Sequence, residues 1–196
     1  LRMEMERRAR NNKKEFNREV TLSDIYSEFP KFIVSDIEKL ERLEVETEKR
    51  VCYRNDFMWE VVKRLSKAGK KLVLLSDIYL EKADLVDILK ANGIDTSIFE
   101  HIIISCEEKC SKQNGELFNV MLSKFGNIEK KDVVHIGDNR NADYTQPLSS
   151  GIAAVHYDAV PDRLNSIYDY EKIRHDIPQK KILSLRKVTS YHGMQK

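Results

Sequence analysis

The sequence has no long apolar run, and this absence argues against a membrane-spanning or a secreted protein. No segment approaches the ~18 consecutive apolar residues that a membrane-spanning helix needs, so we expect no transmembrane segment. The first residues are rich in arginine and glutamate, which is unlike a secretory signal peptide. We therefore expect a cytoplasmic protein.

Cysteine is scarce, and neither sign of charge dominates. The three cysteines, Cys52, Cys106 and Cys110, are odd in number, which argues against a disulfide framework. Cys106 and Cys110 are near neighbours, but no second Cys/His pair accompanies them, so ordinary thiols are favoured over a metal or redox pair. Lysine and arginine total 34 against 32 acids, so the overall charge gives no reason to expect a nucleic-acid partner.

Glycine and proline are almost absent from the first part of the chain. Residues 1–50 contain one proline, no glycine and twelve charged residues of each sign, which is typical of helices with solvated faces. Thr21 and Ser35 are each followed three residues later by an acid, a pattern that marks a helix start. We predict a helical module over residues 1–54.

Beyond this module, helices alternate with short apolar strands. We predict helices over 56–68, 81–91 and 115–124 and strands over 72–75, 102–104, 133–136 and 152–155. Strands separated by helices of this length imply right-handed crossovers and a parallel sheet. The expected fold class is α/β, with a Rossmann-like parallel sheet flanked by helices over residues 55–170 and the helical module in front of it.

The last segment, residues 171–196, is strongly basic. From Lys172 onward it carries seven lysine or arginine residues against one acid, Asp176. This composition fits a solvated helix or a linker. Contact with phosphate groups or a membrane surface is an alternative that the sequence leaves open.

Polar residues follow the predicted strands at the end where open parallel sheets bind their ligands. Ser76 follows the first strand, Lys112 precedes the third helix, and Asp138 and Asp143 follow the third strand. No glycine-rich dinucleotide loop or P-loop accompanies them, which disfavours a nucleotide-binding fold. Carboxylates bind Mg²⁺, a lysine offsets phosphoryl charge and a hydroxyl binds a phosphoryl oxygen, so this set favours phosphoryl transfer.

Each of these residues also has a plainer interpretation. A serine after a strand commonly caps the next helix, an exposed lysine is usually solvated, and Gly137-Asp138-Asn139 is a common turn sequence. The order of the three signals, and their shared position at one edge of the sheet, favour the phosphoryl-transfer site.

These motifs resemble those of the haloacid dehalogenase superfamily of phosphohydrolases. Its second motif is a strand ending in Ser or Thr, as at Ser76. Its third is a lysine near a helix start, here Lys112 in a Lys-x-x-Gly-x-Leu-Phe pattern similar to the subfamily with an inserted helical cap. Its fourth, Gly-Asp with a second acid further on, matches Asp138 and Asp143, and the likeness covers residues 55–157.

A finer resemblance is to predicted hydrolases found alone or fused to glycosyltransferases in bacterial surface-polysaccharide clusters. The segments that carry it are 7–10, 21–26 and 76–80. The resemblance implies a bacterial phosphatase that acts on a small phosphorylated metabolite. It also implies a fused or associated glycosyltransferase as a partner.

The resemblance implies a role for each residue that would contact the substrate. Ser76 would bind a phosphoryl oxygen, with help from the backbone N–H of Asp77. Lys112 would offset the charge of the phosphoryl group and of the nucleophile. Asn139 would contact the substrate or a metal-bound water, unless it only forms the turn.

The resemblance also implies Mg²⁺ as the cofactor. Asp138 would bind the ion, and Asp143 would orient the metal shell or join it through water. The helical module would be the cap, which excludes water and selects the substrate.

The first motif of the superfamily, Asp-x-Asp at the end of the first strand, is absent from this sequence. Its first aspartate is the nucleophile and its second is the general acid and base. Either that strand lies upstream of Leu1, or the protein keeps the fold and has lost the chemistry. The strand is central in this fold, between those ending at Ser76 and Asp138. Its loss would leave buried backbone groups unpaired at about 1–3 kcal/mol each, which favours a strand upstream of Leu1 over a protein that has lost it. Residues 181–185 are a less favoured candidate for the same place in the sheet.

Two functions of other classes remain as alternatives. A non-catalytic domain that docks to or regulates an attached glycosyltransferase would suit the absent motif and the basic tail, but it has no need for the retained lysine and acids. A two-component receiver domain also places acids and a lysine at strand ends, but it lacks a helical cap. An Asp-x-Asp motif shortly before Leu1 would favour the enzyme.

Overall fold

The computed structural model describes residues 1–14, 17–30, 36–126 and 128–157. The basic segment 171–196 and the end of the predicted core, from residue 158 on, lie outside these described residues. The helices are α1 (Arg2–Asn12), α2 (Leu22–Ser27), α3 (Ile37–Val51), α4 (Asp56–Lys67), α5 (Lys82–Ala91), α6 (Ser105–Glu108), α7 (Glu116–Lys124) and α8 (Gln146–Ser149). The strands are β1 (Val73–Ser76), β2 (His101–Ile104), β3 (Val134–Gly137) and β4 (Ala153–His156).

The helix starts in the N-terminal part follow from short capping side chains. Thr21 Oγ1 accepts from the Asp24 backbone N–H at 3.1 Å, and Asp24 Oδ2 accepts in return from the Thr21 N–H at 2.9 Å. This reciprocal pair confirms the predicted start of α2. Helix α3 begins one residue later than the Ser35 pattern indicates, because Asp36 caps it by accepting from the Lys39 N–H at 2.9 Å. Ser35 itself lies outside the described residues.

Helices α2 and α3 pack onto the rest of the chain through an apolar cluster. Leu22 and Tyr26 of α2 and Val45 of α3 form this cluster with Leu80 and with Ile88 of α5. All five are buried, so the helical residues share a core with the segment that follows β1. The boundary at residue 54 stays a prediction, since it divides residues that pack together.

The four strands form two parallel pairs. β1 pairs with β2 in the register Val73 to His101, and β3 pairs with β4 in the register Val134 to Ala153. Helices separate the strands of the first pair along the chain, as parallel connections require. The fold class is therefore α/β with a Rossmann-like core, as the sequence predicts. β1 and β3 each end one residue later than expected, so Ser76 is the last residue of β1.

No backbone ladder joins β1 to β3 in the part of the chain that the structure describes. A cavity of about 340 Å³, here called the inter-sheet cavity, lies between these two strands. Residues of β1 and β3 line it, and apolar side chains of α4 and α7 complete its lining. The strand residues that line the cavity include Val73, Leu74, Leu75, His135 and Ile136.

The main apolar core lies beside this cavity. Leu117, Phe118 and Met121 of α7 pack with Ile103 of β2 and with Ile152, and all are buried. Phe118 of α7 also contacts the His135 ring of β3, so α7 packs against both strand pairs. In the described ranges, no helix has the length and apolarity that a membrane crossing requires.

The capping pair at the start of α2 predicts a measurable loss of stability. Replacing a threonine N-cap by alanine removes an acceptor for a backbone N–H, at a typical cost of about 1 kcal/mol. We expect Thr21→Ala to lower the free energy of unfolding by about that amount, measured by urea denaturation. Ser23→Ala, within the same helix and exposed, serves as the control. Equal losses for the two variants would contradict the assignment.

Candidate functional site

A buried lysine lies where the ends of β1 and β3 meet. Lys112 opens a short 3₁₀ turn in front of α7, and Gly115, with φ of 81°, adopts the left-handed conformation that lets α7 start directly after it. Lys112 is only 9% exposed. Its Nζ donates to Asp143 Oδ1 at 2.6 Å. A lysine this buried is rare unless it is paired, so the ion pair is what permits its position.

Asp143 is the acceptor at the centre of the site. It lies in a π-helical segment, Arg140–Thr145, and is buried. Its Oδ1 lies 2.9 Å from His135 Nε2, and its Oδ2 accepts from the Asn139 N–H at 3.0 Å. Burial alone would raise the pKa of Asp143, but the hydrogen bonds from His135 and Lys112 and the Lys112 charge outweigh it and hold the pKa well below its usual range.

Gly137 is required for the approach of Asp143 to the end of β3. A Cβ added at Gly137 would collide with the Cβ, Cγ and Oδ2 atoms of Asp143. The conformation of Gly137 is not in the left-handed region, so the requirement comes from space and not from backbone strain. The glycine in the Gly-Asp motif therefore has a packing reason, which is the close contact of a carboxylate with the strand backbone.

Asp77 brings the end of β1 to the same lysine. Both oxygens of its carboxylate accept from the Lys112 backbone N–H, at 3.0 and 3.2 Å. Burial raises the pKa of Asp77, and the Lys112 N–H and the Lys112 charge offset part of that effect. Lys112 thus contacts Asp77 through its backbone and Asp143 through its side chain, so the carboxyl ends of β1 and β3 converge on one residue.

The other predicted site residues lie at the same strand ends. Ser76 ends β1, and Asp138 follows β3 as an exposed residue whose backbone carbonyl lies 2.9 Å from His156 Nε2. Asn139 uses its side-chain oxygen to accept from the N–H groups of Asn141 and Ala142, at 3.0 and 2.9 Å. In the structure Asn139 therefore performs the turn-forming role that was one of its two interpretations.

Two contacts of the site were missed in the sequence. His135 lies in the middle of β3 and reaches Asp143, and its only sequence signal is a polar residue within an apolar strand. Ser105 Oγ donates to Glu19 Oε2 at 2.6 Å and accepts from the Ile78 N–H at 3.1 Å. Burial raises the pKa of Glu19, although the Ser105 hydrogen bond and the Arg10 charge act against it. No local pattern links Glu19 to Ser105, because 86 residues separate them.

The carboxylates after β3 are of the type that binds Mg²⁺, but the described residues do not group enough of them to form a metal site. In the described ranges, no three His, Cys, Asp or Glu side chains lie together as a metal site. Asp138 directly follows β3 and Asp143 lies five residues further along the chain, and carboxylates are ligands that Mg²⁺ takes. Both oxygens of Asp143 already have partners, so Asp138 is the residue that could bind the ion directly and Asp143 would act through water.

Comparison with known proteins assigns a family to most of the chain. Residues 2–145 match the family model described as haloacid dehalogenase-like hydrolase. The match begins in α1, so it includes the N-terminal helices as well as β1, β2 and β3. A search of the curated proteins gives no significant match.

The packing of Asp143 against Gly137 predicts a costly substitution. Gly137→Ala forces a methyl group into the space of the Asp143 side chain, and overpacking of this kind costs about 1–3 kcal/mol. We expect that loss in the free energy of unfolding, measured by urea denaturation. Gly69→Ala separates the two causes of loss, since a Cβ at Gly69 meets no atom within 4 Å and its loss comes only from a positive φ that Gly137 does not have. A Gly137→Ala variant as stable as the parent would exclude the close contact.

The depressed pKa of Asp143 predicts the sign of a pH effect on stability. A carboxyl whose pKa is lower in the folded state stabilises the fold above its unfolded pKa of about 3.9, and this contribution fades as the pH falls through the folded value. We expect Asp143→Asn to cost about 3–5 kcal/mol at neutral pH, because Lys112 then stays buried without its partner.

The difference in unfolding free energy between Asp143→Asn and the parent should narrow as the pH is lowered below about 4. Urea denaturation at a series of pH values measures it. Asp132→Asn, at an exposed carboxylate of the turn before β3, is the control and should follow the parent curve. A gap that stays constant down to the lowest accessible pH would show that the pair does not act through ionisation.

Proposed function

The chain belongs to the haloacid dehalogenase-like hydrolase family, and from this premise we propose that its protein is a Mg²⁺-dependent phosphohydrolase acting on a small phosphorylated metabolite. The observation that carries the proposal is the meeting of β1 and β3 at Lys112, beside the inter-sheet cavity. A strand added there would pair with both edges, and its carboxyl end would lie at Lys112.

Support for such a strand comes from the walls of the inter-sheet cavity. β1 and β3 both contribute apolar residues to it, and neither is paired on that side with a described strand. Helices α4 and α7 supply Met58, Val61, Phe118 and Met121 to the same cavity. An added strand would therefore be buried on both faces, as the strands of parallel sheets generally are.

The proposed reaction proceeds in two steps at the end of that strand. A carboxylate oxygen of the strand's first aspartate forms a bond to phosphorus while the bond from phosphorus to the substrate's ester oxygen breaks. The second aspartate of the Asp-x-Asp motif donates a proton to the departing alkoxide. It then takes a proton from water, whose oxygen attacks phosphorus and releases phosphate and the free aspartate.

The chain's own residues would hold the phosphoryl group in this reaction. Lys112 carries a positive charge at the strand ends, where it offsets the charge that develops on the phosphoryl oxygens. Ser76 Oγ and the Asp77 N–H would bind another of those oxygens, since Ser76 is the last residue of β1 and Asp77 follows it at the site. Asn139 holds the turn that positions Asp143 and is the weaker candidate for a substrate contact.

Mg²⁺ would be held by Asp138, with Asp143 joined through water. When bound, the ion neutralises phosphoryl charge and orients the group for in-line attack. Asp143 also keeps Lys112 in place through the 2.6 Å ion pair. The same aspartate would thus set the positions of both positive charges around the phosphoryl group.

A strand supplied in trans tests the proposal. We expect the 196-residue chain with Mg²⁺ to release no phosphate from para-nitrophenyl phosphate. It should do so once an extended apolar peptide ending in Asp-x-Asp is added. Lys112→Ala should lower the rate by about 100-fold or more, because a charge that stabilises the transition state is lost. Asp138→Ala should abolish the Mg²⁺-dependent part, and Ser76→Ala should weaken phosphate inhibition more mildly.

Controls separate catalysis from binding. A peptide ending in Asn-x-Asn should bind equally well by fluorescence anisotropy and give no release. Lys90→Ala, at an exposed lysine of α5, should leave the rate within twofold of the parent. A bound Asp-x-Asp peptide without phosphate release would reject the hydrolase. It would favour the rival function, a non-catalytic domain that docks to or regulates a glycosyltransferase. Release by the chain alone would make Asp77 the leading candidate for the nucleophile.

A further inference from the structure

A second cavity, of about 530 Å³ and here called the rim cavity, opens beside Asp77. Its lining from the N-terminal part includes three arginines, Arg7, Arg10 and Arg18. Asp77, Ser111 and Gln113 line it from the core. Ser111 and Gln113 are the chain neighbours of Lys112, and the Asp77 carboxylate accepts from the Lys112 backbone N–H. The rim cavity is therefore continuous with the residues proposed to hold the phosphoryl group.

Two of the three arginines already have carboxylate partners. Arg7 donates to Glu4 at 2.9 and 2.7 Å. Arg10 donates to Glu6 at 3.0 and 2.9 Å, and its Nη1 lies 4.0 Å from Glu19. Their charges are largely neutralised within the helical residues, so they shape the cavity more than they attract a ligand.

Arg18 differs from both. Among the residues that the structure describes, no carboxylate pairs with it, and its one side-chain contact is a long hydrogen bond of 3.5 Å from Nη1 to Asn11 Oδ1. It also has φ of 49°, a left-handed conformation that costs a non-glycine residue about 1–2 kcal/mol. Non-glycine residues held in such a conformation cluster at functional sites.

The neighbours of Arg18 hold it at the rim. Asn17 Nδ2 donates to Glu116 Oε2 at 2.6 Å, and Asn17 Oδ1 accepts from Asn114. On the other side, Glu19 accepts from Ser105 Oγ at 2.6 Å. The backbone carbonyl of Arg18 itself accepts from Arg10 Nη1 at 3.2 Å. The residues on both sides of Arg18 are therefore anchored to the core, which holds the Arg18 backbone at the edge of the rim cavity that Asp77 also lines.

We propose that Arg18 binds a second anionic group of the substrate, so that the preferred substrates are small molecules with a phosphate ester at Lys112 and a carboxylate or second phosphate at the rim cavity. This inference rests on the proposed function. A guanidinium offers a planar pair of N–H donors that matches a carboxylate or a phosphate. The carboxylate of Glu19, the next residue, does not pair with Arg18, since Arg10 and Ser105 already contact it.

Two aryl phosphates that differ by one charge test the inference. The probes are phenyl phosphate and its para-carboxy derivative, titrated calorimetrically into the 196-residue chain with Mg²⁺. We expect the carboxy compound to bind about tenfold more tightly, the gain typical of a charge-assisted hydrogen bond. Arg18→Ala should bring the two affinities within twofold of each other. Arg18→Lys should retain part of the preference.

Arg8→Ala is the matched control, because Arg8 lies on α1, pairs with Glu4 and does not line the rim cavity. It should keep the full preference. The para-phosphate derivative distinguishes the two anions: a gain above that of the carboxy compound assigns a second phosphate, and a smaller gain assigns a carboxylate. Equal affinity of the parent for the first two probes, or a preference that survives Arg18→Ala, would overturn the inference.

The binding readout also separates this inference from the proposed function. A preference for the second anion without any turnover by the strand-complemented chain would support the role of Arg18 and reject the hydrolase. Turnover without the preference would support the hydrolase and reject the role of Arg18. Circular dichroism of Arg18→Ala establishes that a lost preference does not come from a lost fold.

Discussion

The contact between Lys112 Nζ and Asp143 Oδ1 is the interaction on which the site depends. At 2.6 Å, with both side chains almost fully buried, it joins the segment before α7 to the turn after β3. A buried charge without a partner is strongly destabilising, so neither residue can occupy its position alone. Gly137 and His135 serve the same contact, one by leaving space for Asp143 and the other by approaching its Oδ1.

The Lys112–Asp143 ion pair matters to the fold because the two strand pairs are separate. β1–β2 and β3–β4 share no ladder among the described residues, so the ends of β1 and β3 are held together by Lys112 and by the core around α7. An unpaired strand edge presents a row of backbone donors and acceptors that favours the addition of another strand. The unpaired edges of β1 and β3 therefore border the inter-sheet cavity along their length and lead to Lys112 and Asp143 at their carboxyl ends.

The N-terminal helices are tied to this region by polar contacts as well as by apolar packing. Glu19 and Asn17 reach Ser105 and Glu116, while Leu22 packs against Leu80 and Ile88. The apolar cluster fixes where the helices lie. The polar contacts fix the loop after α1 beside the residues that adjoin Lys112.

Much of the fold could be predicted because it depends on local patterns. The strands begin and end within one residue of their apolar runs, and the Thr21 cap is visible as a pair of residues three apart. The sequence also indicated residues that the structure brings together, since Asp143 follows β3 and Lys112 precedes α7. The Ser35 pattern was misleading because Asp36, one residue further on, is an equally good cap.

The α/β class, the parallel strands and the interest of Lys112, Asp138 and Asp143 follow from the order of the amino acids alone, because hydrophobic periodicity is local and each motif spans only a few neighbouring residues. Only the tertiary structure decided which acid pairs with Lys112, that His135 reaches that pair, and that Glu19 meets Ser105. It also decided that β1 and β3 remain unpaired with each other. The physical reason is that such contacts join residues far apart in the chain, and their free energy depends on burial and packing that no sequence window contains.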